Sequence, residues 1–157
     1  MTSPRDRGAI PGSVLFMCTY NAVRSPVAEG LAKHWLGKSV YVQSAGVREG
    51  PLDGFAVAVA AEEGVDIARH QPKLLEDLED MNFDLVVTLS PDAHRAAMEL
   101  TRTHDLTVEY WPTEDPTGIE GSRDERLAHY RHMRDHLQGR IIERFPRQFF
   151  PKVGGGA

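Results

Sequence analysis

Ser13-Val14-Leu15-Phe16-Met17-Cys18-Thr19-Tyr20-Asn21-Ala22-Val23-Arg24-Ser25-Pro26 carries the strongest structural signal in the chain. The apolar run through Met17 reads as a short buried strand. Cys18 to Arg24 reads as a loop. Ser25-Pro26 then opens a helix, with Ser at the N-cap and Pro at the first helical position. A loop between a strand and a helix N-terminus is a natural anion site. Orphan N–H groups and the positive end of the helix dipole point into it, and in parallel sheets ligands bind beyond the carboxyl ends of strands.

Outward from this stretch, strands and helices alternate. Val27, Leu31 and Trp35 give the first helix a buried stripe, and Gly37 stops it. Val40 to Val42 begin a strand that runs into Ser44-Ala45-Gly46. A helix is expected over Phe55–Glu63, ending at Gly64, and a short one over Leu74–Leu78. Asp84–Ser90 is the clearest strand, apolar at its centre and so buried on both faces. Pro91 starts a helix through Leu100, and Leu106–Trp111 is a further strand. After the loop Pro112–Gly121, Ser122 and Glu125 form a capping box for a long last helix. Leu127, Tyr130, Met133, Leu137, Ile141 and Phe145 line one face of that helix. The alternation argues for one α/β domain with a parallel sheet. Residues 1–12 read as a flexible arm, 13–146 as the domain and 147–157 as a loose tail.

The chain has 157 residues, 41% apolar and 26% charged, with a net charge of −5. That size suits a single core. The acidic balance gives no general attraction to nucleic acid or anionic membrane, so neither is an expected partner, and any anion must be held locally. No segment resembles a signal peptide and no apolar run is long enough to span a membrane, so a reducing cytoplasmic setting is expected. The single cysteine rules out an internal disulfide. Such a cysteine is either a buried structural thiol or a nucleophile, and its neighbours decide.

Those neighbours favour the nucleophile. Cys18 and Arg24 bracket five residues, and Ser25 follows. A loop of that length curls so that the backbone of Thr19, Tyr20, Asn21, Ala22, Val23, Arg24 and Ser25 surrounds one phosphate. Arg24 grips two phosphate oxygens with its planar fork, which Lys matches poorly. The helix dipole, the amides and Arg24 favour a thiolate at Cys18, and Ser25 stands ready to hydrogen-bond it. A thiolate beside bound phosphate gives a cysteinyl-phosphate. The leaving oxygen needs a proton, and Asp115, in Asp115-Pro116, is the candidate acid. Asp-Pro is also a common turn pair, so this assignment depends on the Cys–Arg loop. His129, His132 and His136 share one face of the last helix, opposite its apolar stripe, and read as a solvated face rather than zinc ligands. No cofactor is expected.

These residues resemble the low-molecular-weight protein tyrosine phosphatase family, which includes arsenate reductases of the same fold. The resemblance runs through Val14–Cys18, Asn21, Arg24-Ser25-Pro26, Ala28-Glu29, Ser44-Ala45-Gly46, Gly64-Val65-Asp66 with His70, Phe83–Val87 and Asp115-Pro116. It implies a four-stranded parallel sheet flanked by helices, with the phosphate-binding loop between strand 1 and helix 1. It implies two-step hydrolysis: Cys18 is phosphorylated while Asp115 protonates the leaving group, then Asp115 activates water. Asn21 braces the loop in a left-handed conformation, held by Ser44 and His70. In the reductase branch, positions matching Asn21, Glu29, Ser44 and Asp66 resemble a potassium site. The expected substrate is a phosphorylated one, a phosphotyrosine protein or a small aryl phosphate. The alternatives are arsenate reduction with an external small thiol and a non-catalytic anion-binding module. The chain departs from the family at Tyr20, where Gly is usual, and at Val23, which replaces a second loop Cys found in many members. It departs again at Thr117-Gly118, where the phosphatases often carry aromatic residues.

Overall fold

The computed structural model describes residues 11–145; most of the expected arm and all of the expected tail lie outside them. Four strands form one parallel sheet: β1 (Ser13–Cys18), β2 (Tyr41–Gly46), β3 (Leu85–Thr88) and β4 (Thr107–Tyr110), in the order β2-β1-β3-β4. Four helices cover it: α1 (Arg24–Leu36), α2 (Gly54–Ala61), α3 (Pro91–Leu100) and α4 (Arg123–Arg144). The parallel α/β architecture read from the alternation is therefore the observed one, with shorter strands than expected at β3 and β4.

β1 shows why the sheet is buried on both sides. Successive side chains point to opposite faces. Val14, Phe16 and Cys18 join α1, α2 and α4 in one core, while Leu15 and Met17 join α3 in the other. On the first face Trp111 packs edge-on against Phe16, with centroids 5.9 Å apart. The long α4 is held to α2 by the buried Arg134, which donates to the Val59 carbonyl at 3.0 Å and to Glu62 at 2.7 Å. The hydrogen bonds from Arg131 and Arg134 hold the Glu62 carboxyl down to about 2.

Two boundaries and two smaller expectations are corrected. The first is the start of α1. The helix begins at Arg24, with Val23 at its N-cap and no side-chain cap. Ser25 lies inside the first turn because its hydroxyl is engaged with the loop, as described below. The second is the arm boundary. Pro11 is buried, Gly12 donates its N–H to Asp84 at 2.7 Å, and its carbonyl accepts from Tyr41 at 2.9 Å. Both residues thus lie immediately before β1 within the sheet, with Gly12 bonded to β2 on one side and to Asp84, just ahead of β3, on the other. The expected short helix over 74–78 is a single 3-10 turn, Leu75–Asp77. The Ser122–Glu125 capping box is formed as read. Phe145, placed on the α4 stripe, is buried but sits just past the helix end.

Gly46 ends β2 opposite Cys18. A Cβ there would meet the Asn21 nitrogen and the Tyr20 carbonyl carbon, each at 2.7 Å. Both contacts are backbone, so neither can yield cheaply. Gly46→Ala should therefore cost ~1–3 kcal/mol of stability, the usual range for overpacking. A urea denaturation midpoint equal to that of the parent chain would contradict this reading of the β2–loop contact.

Candidate active site

The loop after β1 is held in shape from outside. Its carbonyls turn outward: Thr19 accepts from the N–H groups of Val47 (2.9 Å) and Arg48 (2.8 Å), and Ala22 accepts from Asp53 (3.1 Å). The Thr19 hydroxyl donates to Ser90, the N-cap of α3, at 3.0 Å. With the carbonyls tied off, the N–H groups of Tyr20, Asn21, Ala22, Val23 and Arg24 find no acceptor among the described residues. A curl of free amides at the start of α1 is a cradle for a tetrahedral anion.

Asn21 fixes the curl. It has a φ of 54°, the one positive value at a non-glycine among the described residues. Asn tolerates this left-handed conformation better than other side chains. It is fully buried, and both ends of its amide are satisfied. Oδ1 accepts from the Lys73 N–H at 3.0 Å, which identifies that atom as the oxygen, so His70 Nε2 must donate to it at 2.9 Å. Nδ2 donates to Ser25 (2.8 Å) and to Ser44 (2.9 Å). Ser44 in turn donates to Glu29.

Ser25 links this brace to the cysteine. Its hydroxyl lies 2.9 Å from Cys18 Sγ, and its N–H donates to the same sulfur at 3.4 Å. Because Ser25 already accepts from Asn21, its own proton is free to point at the sulfur. Arg24 is buried, donates from Nη1 to the Thr113 carbonyl at 3.1 Å, and stands 3.7 Å from Asp115 Oδ2. Asp115 caps the 3-10 turn Pro116–Gly118, its Oδ1 accepting from the Thr117 N–H (3.0 Å) and hydroxyl (2.8 Å). Cys18, Arg24 and Asp115 all border one cavity of about 370 Å³, with Val23, Pro51 and Leu52 among its apolar walls.

The structure thus brings together Cys18, Arg24, Asp115 and the whole loop, with Asn21, Ser44 and His70 behind it. The residues of the potassium resemblance fit a cation poorly. Glu29 already takes Ser44 on one oxygen and the Lys33 ammonium, at 2.5 Å, on the other. Asn21 Oδ1 has two donors, and Asp66 is exposed with its Oδ1 on the Ala68 N–H. The three histidines of α4 are exposed, as their place opposite the stripe required.

Tyr20 leaves the loop unstrained. Its backbone does not enter the left-handed region, and the side chain turns out of the loop. Three contributions were missed in the sequence: Lys33 on Glu29, Thr113 on Arg24, and Asp53, which caps α2 at Phe55 and accepts from Tyr130 at 2.7 Å. Asp53 alone had a local signal, an Asp just ahead of the expected helix at Phe55. Burial and the Asp53 carboxylate push the Tyr130 hydroxyl far above its ordinary value.

Burial holds His70 below the ordinary histidine value, and Lys73 acts in the same direction, against the pull of Glu29. As pH falls below ~6.5 the unfolded chain binds the proton first, while the folded chain resists it. Stability is then lost down to the lowered folded value, at most about 1.4 kcal/mol per pH unit for one proton. His70→Gln keeps a donor to Asn21 without titrating. Between pH 6.5 and 5 its denaturation midpoint should fall less steeply than that of the parent chain; parallel profiles would remove His70 as the source.

Comparison with known proteins gives a consistent family. The model for low molecular weight phosphotyrosine protein phosphatase matches residues 13–148. An arsenate reductase of Bacillus subtilis (strain 168) is 35% identical over 130 residues, spanning 83% of this chain and 92% of that protein. A low molecular weight protein tyrosine phosphatase from T. tengcongensis superposes with a TM-score of 0.68 at 32% identity, over 83% of this chain and 95% of that chain. The Erwinia amylovora tyrosine phosphatase AmsI gives a TM-score of 0.72 over 88% of this chain and 93% of that one; at 21% identity it supports the fold alone.

Proposed function

This chain belongs to the low molecular weight phosphotyrosine protein phosphatase family, and within it we propose a cysteine-dependent phosphomonoester hydrolase. The supporting observation is that a complete anion cradle, with Arg24 and Asp115 at its edge, surrounds the one cysteine in the sequence. Hydrolysis needs one thiol and no electrons. Reduction of arsenate needs two electrons and a second thiol to take up the adduct, and this chain does not contain one.

In this reading the free amides and Arg24 hold the three non-bridging oxygens of the phosphoryl group. Cys18 Sγ attacks phosphorus in line. The S–P bond forms, the P–O ester bond breaks, and Asp115 gives its proton to the leaving oxygen. Asp115 Oδ2 faces the pocket because Thr117 occupies Oδ1. Asp115 then takes a proton from water. The hydroxide attacks phosphorus, the S–P bond breaks, and Ser25 stabilises the departing thiolate through the 2.9 Å contact. Phosphate leaves and the enzyme is restored, without a metal in either step. The substrate is a phosphotyrosine protein or a small aryl phosphate, and the setting is the reducing cytoplasm, which keeps Cys18 a thiol.

The second reading is arsenate reduction, with arsenate in the same cradle and an external small thiol resolving the adduct. The names of the curated relatives favour it.

Parallel turnover assays separate the two: p-nitrophenyl and phenyl phosphate without added thiol, beside arsenate with several small thiols. Ester hydrolysis without thiol is expected, lost in Cys18→Ser; arsenate turnover with no ester hydrolysis would favour the reductase. Arg24→Lys keeps the charge but not the fork, so it should lose most activity. Asp115→Asn should damage phenyl phosphate hydrolysis much more than p-nitrophenyl phosphate hydrolysis, within the ~10²–10⁴-fold span of general acids. Equal losses on both esters would remove Asp115 from the acid role.

A further inference from the structure

Tyr20 has no part in the cradle beyond its backbone, yet its side chain is among the few large apolar groups left exposed, at 46%. The ring is nonetheless seated. A Cβ at Gly50 would lie 3.1 Å from Tyr20 Cδ1 and 3.2 Å from its Cβ, so the side chain rests directly on the bare Gly50 backbone. It borders the cavity that holds Cys18, and it also borders a neighbouring cavity of about 450 Å³. The two cavities share Tyr20, Glu49, Gly50 and Pro51, so these residues form the wall between them.

We infer that Tyr20, seated on Gly50, is the specificity-determining wall of the pocket and selects substrates that carry a flat aromatic ring on the phosphoryl oxygen. The inference rests on the hydrolase reading for its chemistry, but the recognition step is a binding event separable from turnover. A phosphoryl group in the cradle directs its ester substituent out along the wall that Tyr20 and Pro51 share, in a cavity that Leu52 also lines. An aromatic ring gains there from offset or edge-to-face contact with Tyr20 in addition to the area it buries. A short alkyl group reaches none of this surface. Tyr20 costs little entropy to hold, since Gly50 already restricts it, so the wall is formed before substrate arrives.

The test uses binding alone. Protection of Cys18 from iodoacetamide is measured in the full chain with phenylphosphonate and with methylphosphonate, neither of which has an ester bond to cleave. The parent chain should be protected at a phenylphosphonate concentration lower by about three- to tenfold than the methylphosphonate concentration. Tyr20→Phe should keep that ratio, since the ring rather than the hydroxyl makes the contact. Tyr20→Ala should bring the ratio close to one. Gly50→Ala, which displaces the ring without removing it, should lower it as well. An unchanged ratio in Tyr20→Ala, or a ratio near one in the parent chain, would overturn the assignment. If the ratio behaves as expected but phenyl phosphate is not hydrolysed, the hydrolase reading fails while Tyr20 keeps its role in recognition.

Discussion

Asn21 is the residue on which the site depends. A single buried amide in a left-handed backbone conformation makes four hydrogen bonds, to His70, Lys73, Ser25 and Ser44. An unsatisfied buried amide costs more than a made hydrogen bond contributes, so these partners specify one orientation of the side chain. That orientation sets the turn at residue 21. The turn directs the carbonyls of residues 19 and 22 outward and the intervening amides inward. Of these partners, the Ser44 and His70 side chains lie behind the loop, so they act on the cradle through Asn21 alone.

The brace does not end at Ser44. Glu29 is buried one helical turn along α1, where Ser44 and Lys33 meet its two oxygens. A continuous line of contacts therefore runs from a partly exposed ammonium to the cysteine sulfur: Lys33, Glu29, Ser44, Asn21, Ser25, Cys18. At its outer end the Lys33 ammonium lies directly against Glu29. This local arrangement also explains how a chain of net charge −5 presents an anion site. The free amides, the α1 N-terminus and Arg24 act at contact range, where the distant acidic surface is screened.

Close backbone approach is the second requirement. The end of β2 lies against residues 20 and 21 without room for a methyl group, which is why Gly46 stands there. The loop is consequently packed from the β2 side, braced from beneath by Asn21 and tied to α3 through Thr19 and Ser90. It is a rigid part of the sheet rather than a mobile surface segment. Positioning of the reacting groups within an ångström is what such rigidity supplies to catalysis.

The sequence by itself determined the parallel α/β alternation, the place of the anion loop and the capping box of α4, and it suggested roles for Cys18, Arg24 and Asp115. Apart from Asp115, which was read only through the distant Cys–Arg loop, these are carried by residues adjacent in the chain or by the periodicity of single elements, so local chemistry suffices to read them. Asn21, Ser44 and His70 were reached through family resemblance, because nothing local tells that residues 23 and 49 positions apart meet on one amide. Tertiary structure alone decided that Ser25, already expected on the sulfur, does not also cap α1, that Lys33 sits on Glu29, that Thr113 holds Arg24, and that Tyr20 turns out onto Gly50. The physical reason is common to all four. Each side chain had a locally acceptable alternative, a cap or a solvated rotamer, and it was overridden by a partner that only the folded sheet brings within hydrogen-bonding or van der Waals distance.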